Sequence, residues 1–344
     1  MIDFSQTKMI FEHLQDEMSR TIFEKRLMYS ATKDERYLNE MICTIPEVKY
    51  VQAQLEMNRE NFLFGAGYYG ERFIALTNPQ RWAGILDNDE KKWGKKIGGV
   101  PILPPSTLEN HPDAVLFNGI RATGKPWWPE IEAQWKRMGI TKERIVRADQ
   151  EIMDVLSERQ YFDLAAVGHS EHEVFVDGGC LNGDSALGFI KWAEGKFDHI
   201  YSFEPDPASI DICRKTLAKI SEEKTTLFPY GLWKERNELH FSKIGIWSSL
   251  TEGDISVPVS SIDHELTGKH VTMIKMDIEG AELAALEGAQ NCIREQHPKL
   301  IICVYHKPED IIEIPAYILS LCPDYKLYLR HYSLGHTETV LYAV

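Results

Sequence analysis

The sequence has few of the features that mark a secreted, membrane-bound or metal-cluster protein. Its six cysteines are scattered, with no CxxC pair and no spacing typical of metal ligands. Reduced thiols are the simplest interpretation, so we expect a cytoplasmic location. No apolar run approaches the roughly 18 residues of a transmembrane helix, and residues 1–6 do not begin a signal peptide. We therefore predict no membrane partner.

Positive charge is also scarce. The 52 acidic residues outnumber the 38 lysines and arginines, which gives a formal net charge of −14. A nucleic-acid-binding protein needs a basic face, so we predict no nucleic-acid partner. The 344 residues, of which 43% are hydrophobic and 26% charged, are enough for two globular domains of ordinary size.

The most informative stretch is VFVDGGCLNGDSALG, residues 174–188. An apolar strand, a glycine turn and a helix start are typical of the first step of a doubly wound nucleotide-binding fold. Asp177 ends the strand, where backbone N–H groups would otherwise attract a pyrophosphate. A carboxylate there repels phosphate and attracts a cation, and S-adenosylmethionine carries two positive groups and no phosphate. We therefore predict S-adenosylmethionine as the cofactor, bound by Asp177, Gly178, Gly179, Asn182 and Gly183.

The pattern of residues 1–58, the N-terminal segment, predicts helices and no catalytic or binding residues. Apolar residues recur every three or four positions from Ile10 to Phe23, and Pro46 suits the first turn of a further helix. We interpret this segment as a packing layer or as the contact surface of a homo-oligomer.

Residues 59–150 predict a small Rossmann-like domain. A short strand at 61–64 leads into the loop GAGYYG at 65–70, and the next strand ends at Asp87. An acid about twenty residues after the glycines is the arrangement of dinucleotide-binding domains. An NAD- or nucleotide-sugar-binding enzyme is therefore the alternative function, although no Tyr-x-x-x-Lys or comparable hydride-transfer motif accompanies the loop. A purely structural role is also open.

We interpret residues 151–172 as a connector. The pattern of residues 173–344 predicts a second doubly wound domain. The strand at 197–203 ends at Glu204, where a carboxylate can accept both ribose hydroxyls, and Pro205 stops the strand. The next strand, 225–231, should end near an adenine ring. We therefore add Glu204, Pro205, Tyr230 and Gly231 to the predicted cofactor-binding residues.

Three further candidates follow the next two strands. Asp277 and Glu279 come after the apolar run 271–276, and His306 follows the run 298–304. The carboxyl ends of parallel strands face one crevice, so we predict catalytic roles for His306, Asp277 and Glu279, with Asp277 also contacting the cofactor. His306 is the predicted general base, because its ordinary pKa of about 6.5 suits that task. A divalent metal held by Asp277, Glu279 and His306 is the alternative, which the spacing does not require.

The second domain resembles the FkbM-type methyltransferases. The motifs that carry the resemblance are VDGGCLNG at 176–183, FEPD at 203–206, IKMDIEGAE at 274–282, LRHYS at 329–333 and ETVLY at 338–342. The Lys-x-Asp-x-Glu-Gly-Ala-Glu signature is the most specific of them. The resemblance implies an S-adenosylmethionine-dependent O-methyltransferase, acting on the hydroxyl of a small-molecule or saccharide acceptor. The family more often has alanine where Gly179 stands, a difference that we expect to be harmless in a turn.

The predicted fold is therefore α/β. It consists of two doubly wound Rossmann-like domains and an N-terminal helical segment. The C-terminal domain, residues 173–344, is predicted to contain a mixed seven-stranded sheet of the methyltransferase type.

Overall fold

The computed structural model describes residues 4–57, 60–121, 125–241 and 255–344. Its helices are α1 (Phe4–His13), α2 (Glu17–Thr32), α3 (Glu35–Ile42), α4 (Pro46–Met57), α5 (Tyr68–Leu76), α6 (Trp128–Arg137), α7 (Val155–Arg159), α8 (Asp184–Trp192), α9 (Pro207–Leu217), α10 (Ile262–Glu265), α11 (Glu282–Glu287), α12 (Gln290–Gln296) and α13 (Asp310–Leu321). Its strands are β1 (Asn61–Phe64), β2 (Trp82–Leu86), β3 (Lys96–Ile97), β4 (Val100–Leu103), β5 (Val115–Asn118), β6 (Ile145–Val146), β7 (Glu173–Gly178), β8 (Phe197–Phe203), β9 (Thr225–Phe228), β10 (Gly231–Leu232), β11 (Asn237–Phe241), β12 (Ile255–Ser260), β13 (Met273–Met276), β14 (Lys299–Cys303), β15 (Leu327–His331) and β16 (Thr339–Ala343).

Two compact units divide the chain. The large unit comprises Met1–Lys33, Gln160–His331 and Thr337–Val344, and the small unit comprises Asp34–Arg159 and Tyr332–His336. Within the described residues, none of the helices combines the length and the apolar character needed to cross a bilayer.

A six-stranded sheet forms the centre of the small unit. Its strand order is β3-β4-β2-β1-β5-β6, and all pairings are parallel except that of β3 with β4. All four residues of β1 are buried, as expected for a central parallel strand with both faces covered. The chain builds outward from β1 to β2 and β4, then returns to β5 on the other side of β1. The predicted doubly wound fold is confirmed.

A seven-stranded mixed sheet forms the centre of the large unit. Its order is β15-β16-β14-β13-β7-β8-β9. The five strands from β14 to β9 run parallel, and β16 is antiparallel to both β14 and β15. The central strands β7 and β13 are buried along their whole length, which explains their nearly continuous apolar sequences. The predicted mixed seven-stranded sheet is confirmed.

Proline accounts for one difference from the predicted strands. The single strand expected at 225–231 is divided into β9 and β10, because Pro229 lies between them and has no N–H for the ladder. A second proline, Pro258, lies in β12, the middle strand of a small sheet with the order β10-β12-β11. At Pro258 itself β12 pairs only with β11, since β10 reaches only Val259 and Ser260.

The N-terminal helices belong to both units, so the observed boundaries differ from the predicted ones. The helices α1 and α2 lie in the large unit, whereas α3 and α4 lie in the small one, and the connector 151–172 divides after Arg159. Hydrogen bonds explain the assignment of α2: Leu329 N donates to Ser19 Oγ at 2.9 Å, and Arg330 Nη2 donates to Asp16 Oδ2 at 2.7 Å. Several apolar residues of α1 and α2 are buried within the chain. A homo-oligomer through these helices stays a prediction.

Candidate active site

The candidate site lies at the carboxyl ends of β7, β8, β13 and β14. The chain adds β8 and β9 on one side of β7 and then crosses to place β13 and β14 on the other side. At such a reversal of strand order the loops diverge and leave a crevice. The loops that follow these four strands carry most of the predicted site residues.

Asp177 is fully buried and faces a lysine of the neighbouring strand. Lys275 is its register partner, and the lysine Nζ lies 3.1 Å from Asp177 Oδ1. Ser185 Oγ donates to the other carboxylate oxygen at 2.5 Å. Burial alone lowers the pKa of Lys275, but Asp177 and then Asp277 outweigh this effect and raise the pKa above its usual value. The cation that Asp177 was predicted to attract is therefore a residue of the chain itself.

Lys275 also holds the glycine loop that follows β7. Lys275 Nζ donates to the carbonyl oxygens of Gly178 and Gly179, at 3.1 and 2.9 Å. Gly179 has a φ of +71°, and a Cβ there would lie 2.0 Å from the carbonyl oxygen of Asp277. Glycine, which was expected to be harmless here, fits this position, because the main chain of the next loop occupies the space that a Cβ would need.

The end of the same loop begins α8. Gly183 has a φ of +84° and precedes the first residue of the helix. Asn182 is bonded to Asp184 twice: its Oδ1 accepts from the Asp184 N–H at 3.1 Å, and its Nδ2 donates to Asp184 Oδ2 at 2.7 Å. These contacts fix the turn from which the helix N–H groups project.

Glu204 lies beside this loop with its carboxylate engaged by the main chain. Its Oε2 accepts from Leu181 N and its Oε1 from Asp206 N, both at 2.9 Å. Burial raises the pKa of Glu204 above its usual value, although both backbone bonds oppose the shift. Each carboxylate oxygen has a second lone pair, so the group can still accept two ligand hydroxyls.

The predicted adenine contacts gather near Glu204. Pro205 lies 3.7 Å from the position that a Cβ on Gly231 would occupy. The Tyr230 ring is half-buried and stacks at 6.4 Å on Phe228, the last residue of β9. The structure therefore brings Glu204, Pro205, Tyr230 and Gly231 to one side of the crevice.

Asp277 is held by two tyrosines. Tyr161 Oη donates to Oδ2 at 2.8 Å and Tyr305 Oη donates to Oδ1 at 2.9 Å. Burial raises the pKa of Asp277, but Lys275, His306 and the two phenols outweigh it and leave the pKa below its usual value. Sequence reasoning missed Tyr161, which lies in the predicted connector. Its backbone has a φ of +76°, a feature without a sequence signal.

His306 is surrounded by three carboxylates. Its Nδ1 lies 3.0 Å from Glu282 Oε1, and its Nε2 lies 3.5 Å from Asp277 Oδ1 and 3.6 Å from Glu279 Oε2. Burial alone lowers the pKa of His306, but Glu282, Asp277 and Glu279 outweigh it and raise the pKa to about 9. An imidazole with this pKa keeps its proton at neutral pH, which weighs against its predicted role as general base.

Glu279 and Glu282 differ in exposure. The Glu279 side chain is 38% exposed, whereas that of Glu282 is fully buried and accepts from Ile278 N at 2.8 Å. Burial raises the pKa of Glu279 to about 7, and Asp277 and Glu282 add to the shift while His306 opposes it. The cluster in the structure therefore differs from the predicted set of metal ligands, which was Asp277, Glu279 and His306. The ligand-type atoms that lie within 4.8 Å of one another belong to Asp277, Glu282 and His306.

The glycine loop of the small unit has a different environment. Asp87 Oδ2 accepts from Ala66 N at 2.7 Å and lies 3.0 Å from Lys92 Nζ. Asp87, the acid of the predicted dinucleotide-binding pattern, is thus hydrogen-bonded within its own unit. A cavity of about 420 Å³ opens beside the loop, with Tyr68 and Arg121 in its wall.

The comparisons with known proteins concern mainly the large unit. Residues 177–332 match the sequence model of the Methyltransferase FkbM domain. None of the curated proteins matches the chain.

Solved structures resemble the chain in fold. One is methyltransferase FkbM from Methylobacillus flagellatus KT, with 20% identity, a TM-score of 0.52 and coverage of 95% of this chain and 99% of that chain. An rRNA methylase from Streptococcus thermophilus has 15% identity, a TM-score of 0.35 and coverage of 56% and 91%. Fibrillarin from Aeropyrum pernix, in complex with S-adenosylmethionine, has 10% identity, a TM-score of 0.36 and coverage of 55% and 74%. Only the first of the three is similar enough to define a common fold.

Proposed function

We propose that the protein transfers a methyl group from S-adenosylmethionine to a hydroxyl, because residues 177–332 match the sequence model of the Methyltransferase FkbM domain. The observation that carries the proposal is the single crevice that gathers the glycine loop, Glu204 and Asp277 at adjacent strand ends. The loop and Glu204 offer contacts for a nucleoside, and the Asp277 side offers carboxylates for an acceptor.

The cofactor's parts correspond to separate groups of residues. The two free lone pairs of Glu204 would accept the ribose hydroxyls. The half-buried face of Tyr230 would stack on adenine, with Gly231 leaving room beside Pro205. Gly178, Gly179 and the loop to Gly183, whose main chain Lys275 of the Asp177–Lys275 pair holds, would bind the methionine end.

Methyl transfer needs alignment more than activation, because the methyl carbon is already bound to a sulfonium. Effective molarities of about 10⁵–10⁸ M are available from orientation alone. The acceptor oxygen forms a bond to the methyl carbon, the carbon–sulfur bond breaks with its electron pair going to sulfur, and the hydroxyl proton goes to a base. Glu279 is the base that we propose, since its side chain is the exposed carboxylate of the cluster around His306. His306 and Asp277 position it.

The acceptor is proposed to be a small-molecule or saccharide hydroxyl. Two carboxylates at the crevice, Asp277 and the exposed Glu279, suit the hydrogen-bond donors of a polyhydroxylated compound. The alternative function, NAD binding in the small unit, has less support because Asp87 is bonded to Ala66 and Lys92.

Calorimetry on the full-length protein tests the proposal. We expect S-adenosylmethionine to bind and NAD not to bind. Tyr230→Ala should weaken binding roughly 2- to 12-fold, which corresponds to about 0.5–1.5 kcal/mol of lost aromatic stacking. Tyr50→Ala, a change at a 53% exposed tyrosine of the small unit, is the matched control and should leave the affinity unaltered. Binding of NAD without S-adenosylmethionine would reject the proposal.

A further inference from the structure

Three potential ligand side chains converge beneath the crevice of the large unit. Asp277 follows β13, Glu282 is the first residue of α11, and His306 comes shortly after β14. One atom of each lies within 4.8 Å of the atoms of the other two. Three ligands at about 2.1 Å from one ion and about 110–120° apart lie about 3.4–3.6 Å from one another, so an ion would draw the most separated of these atoms together by up to about 1.4 Å.

Glu282 brings an oxygen atom without a hydrogen-bond donor to this cluster. Its side chain has no exposure, and within the described residues its Oε2 has no hydrogen-bond partner. Its other oxygen accepts from the Ile278 N–H at 2.8 Å. A buried carboxylate oxygen without a donor is costly, because no hydrogen bond replaces the water that it has lost. The free oxygen is therefore available to a cation.

The His306 ring is packed among carboxylates. Its side chain is 9% exposed, and its ring nitrogens lie 3.0 Å from Glu282 and 3.5 Å from Asp277. In the part of the chain that the structure describes, neither ring nitrogen makes an aligned hydrogen bond. An imidazole and two carboxylates form the donor set of a metal centre, and a bound ion would engage one ring nitrogen of His306 and one oxygen of Glu282.

We infer that Asp277, Glu282 and His306 bind one divalent ion of the first transition row. Imidazole favours zinc or iron over magnesium, which prefers an all-oxygen shell, whereas the two carboxylates also suit manganese and match the charge of the ion. With three protein ligands the ion keeps open positions for water or a substrate oxygen. The phenol groups of Tyr161 and Tyr305 donate to the Asp277 carboxylate and orient it, as hydrogen-bond partners of metal ligands do.

The role of the ion rests on the proposed function. An acceptor hydroxyl bound at an open position would lose its proton more readily, because the metal stabilises the alkoxide. Glu279 lies outside the ligand set, with its Oε2 3.6 Å from His306 Nε2, and it is the group that we propose to receive that proton. The ion thereby supplies acidity, and Glu279 supplies the base.

Titration of the chelator-treated, full-length protein with Mn²⁺ or Zn²⁺ tests the inference without cofactor or acceptor. We expect one ion to bind per chain, followed by calorimetry and, for Mn²⁺, by loss of the free-ion electron paramagnetic resonance signal. Glu282→Gln should weaken binding at least 10-fold, since the amide keeps the acceptor for Ile278 N but loses the charge. His306→Gln should weaken it similarly. Glu287→Gln, at an exposed position of the same helix, is the control and should bind like wild type.

Absence of binding to the wild type at millimolar metal overturns the inference, as does equal binding by all four proteins. Circular dichroism of each variant separates loss of ligands from loss of fold. If Glu282→Gln does not fold, His306→Gln decides the question by the same criterion. Calorimetry with S-adenosylmethionine is independent of these results. Cofactor binding without metal binding rejects the metal centre alone, whereas metal binding without cofactor binding rejects the proposed function alone.

Discussion

Gly179 shows how tightly two loops meet beneath the crevice. A Cβ at this residue would lie 2.0 Å from the oxygen and 3.0 Å from the carbon of the Asp277 carbonyl. Carbon atoms attract at about 3.5–4.0 Å, so both distances are strongly repulsive. Any relief of the clash moves Asp277, because the obstacle is main chain and not a flexible side chain.

Gly179→Ala should therefore lower stability by more than its positive φ alone requires. Gly195 is the matched control: its φ is +76°, and among the described residues no atom beyond its chain neighbours lies within 4 Å of where a Cβ would be. Gly195→Ala should cost about 1–2 kcal/mol, the strain of a left-handed alanine, and Gly179→Ala at least twice as much. Urea unfolding followed by circular dichroism measures both. Equal losses of stability in the two variants would mean that the loop after β13 moves aside at little energetic cost.

The candidate site was predictable from sequence where a residue directly follows an apolar run. Asp177, Glu204, Asp277 and His306 were found in this way, since strand ends in a parallel sheet share one edge. Their partners were not predictable. Lys275 meets Asp177 through strand register, and Tyr161 reaches Asp277 through an unusual backbone angle. Neither property has a local pattern, which is why the internal pairing of Asp177 was missed.

At the scale of elements, uninterrupted patterns predicted the fold well. The expected bounds of β8 match the structure, and β14 differs by one residue at each end. A difference arises where proline changes hydrogen bonding, since Pro229 divides a predicted strand. Unit boundaries were the least predictable, because they depend on which strand a helix covers.

The turn after β2 depends on an ionised Asp87. Burial alone raises the pKa of Asp87, but the N–H groups of Asp89 and Ala66 and the ammonium of Lys92 outweigh it and lower the pKa below 3.8. A lowered pKa in the folded state means that Asp87 stabilises the fold above its unfolded pKa. This contribution is lost as the pH falls through the folded value.

Acid should therefore weaken the wild type more than Asp87→Asn. At pH 7 the variant should melt at a lower temperature, because a charged hydrogen-bonded group contributes about 1.5–3 kcal/mol. The difference between the two proteins should shrink steadily below pH 4. Calorimetric melting between pH 3 and pH 7 measures this, with Asp113→Asn at an exposed position as control. A difference in melting temperature that does not depend on pH would contradict the stabilising role of ionised Asp87.

At the scale of the whole molecule, the first helices complete a sheet formed by the last strands. Leu14 forms a bridge with Leu327, and Asp16 and Ser19 bind Arg330 and Leu329 of β15. Ile10, Leu14, Ile22 and Phe23 are buried. Without α1 and α2, β15 would be an exposed edge strand, a common starting point for aggregation.

Deletion of residues 1–33 should therefore give a chain that is largely insoluble. Each fully buried apolar side chain that is lost removes about 1.5–3 kcal/mol. Soluble yield and melting temperature compared with the full chain measure the effect, and a peptide of residues 1–33 added during refolding should restore part of both. A soluble truncated chain with an unchanged melting temperature would show that the sheet is stable without its helices.

The position of β16 has a consequence for biosynthesis. This strand, Thr339–Ala343, is synthesised after β14 and β15, yet it lies between them and pairs with both. Until β16 is available, β14 therefore has an open side and β15 lacks its neighbour. This part of the sheet cannot close before β16 has left the ribosome, and by then the N-terminal helices have long been available to cover the outer strand.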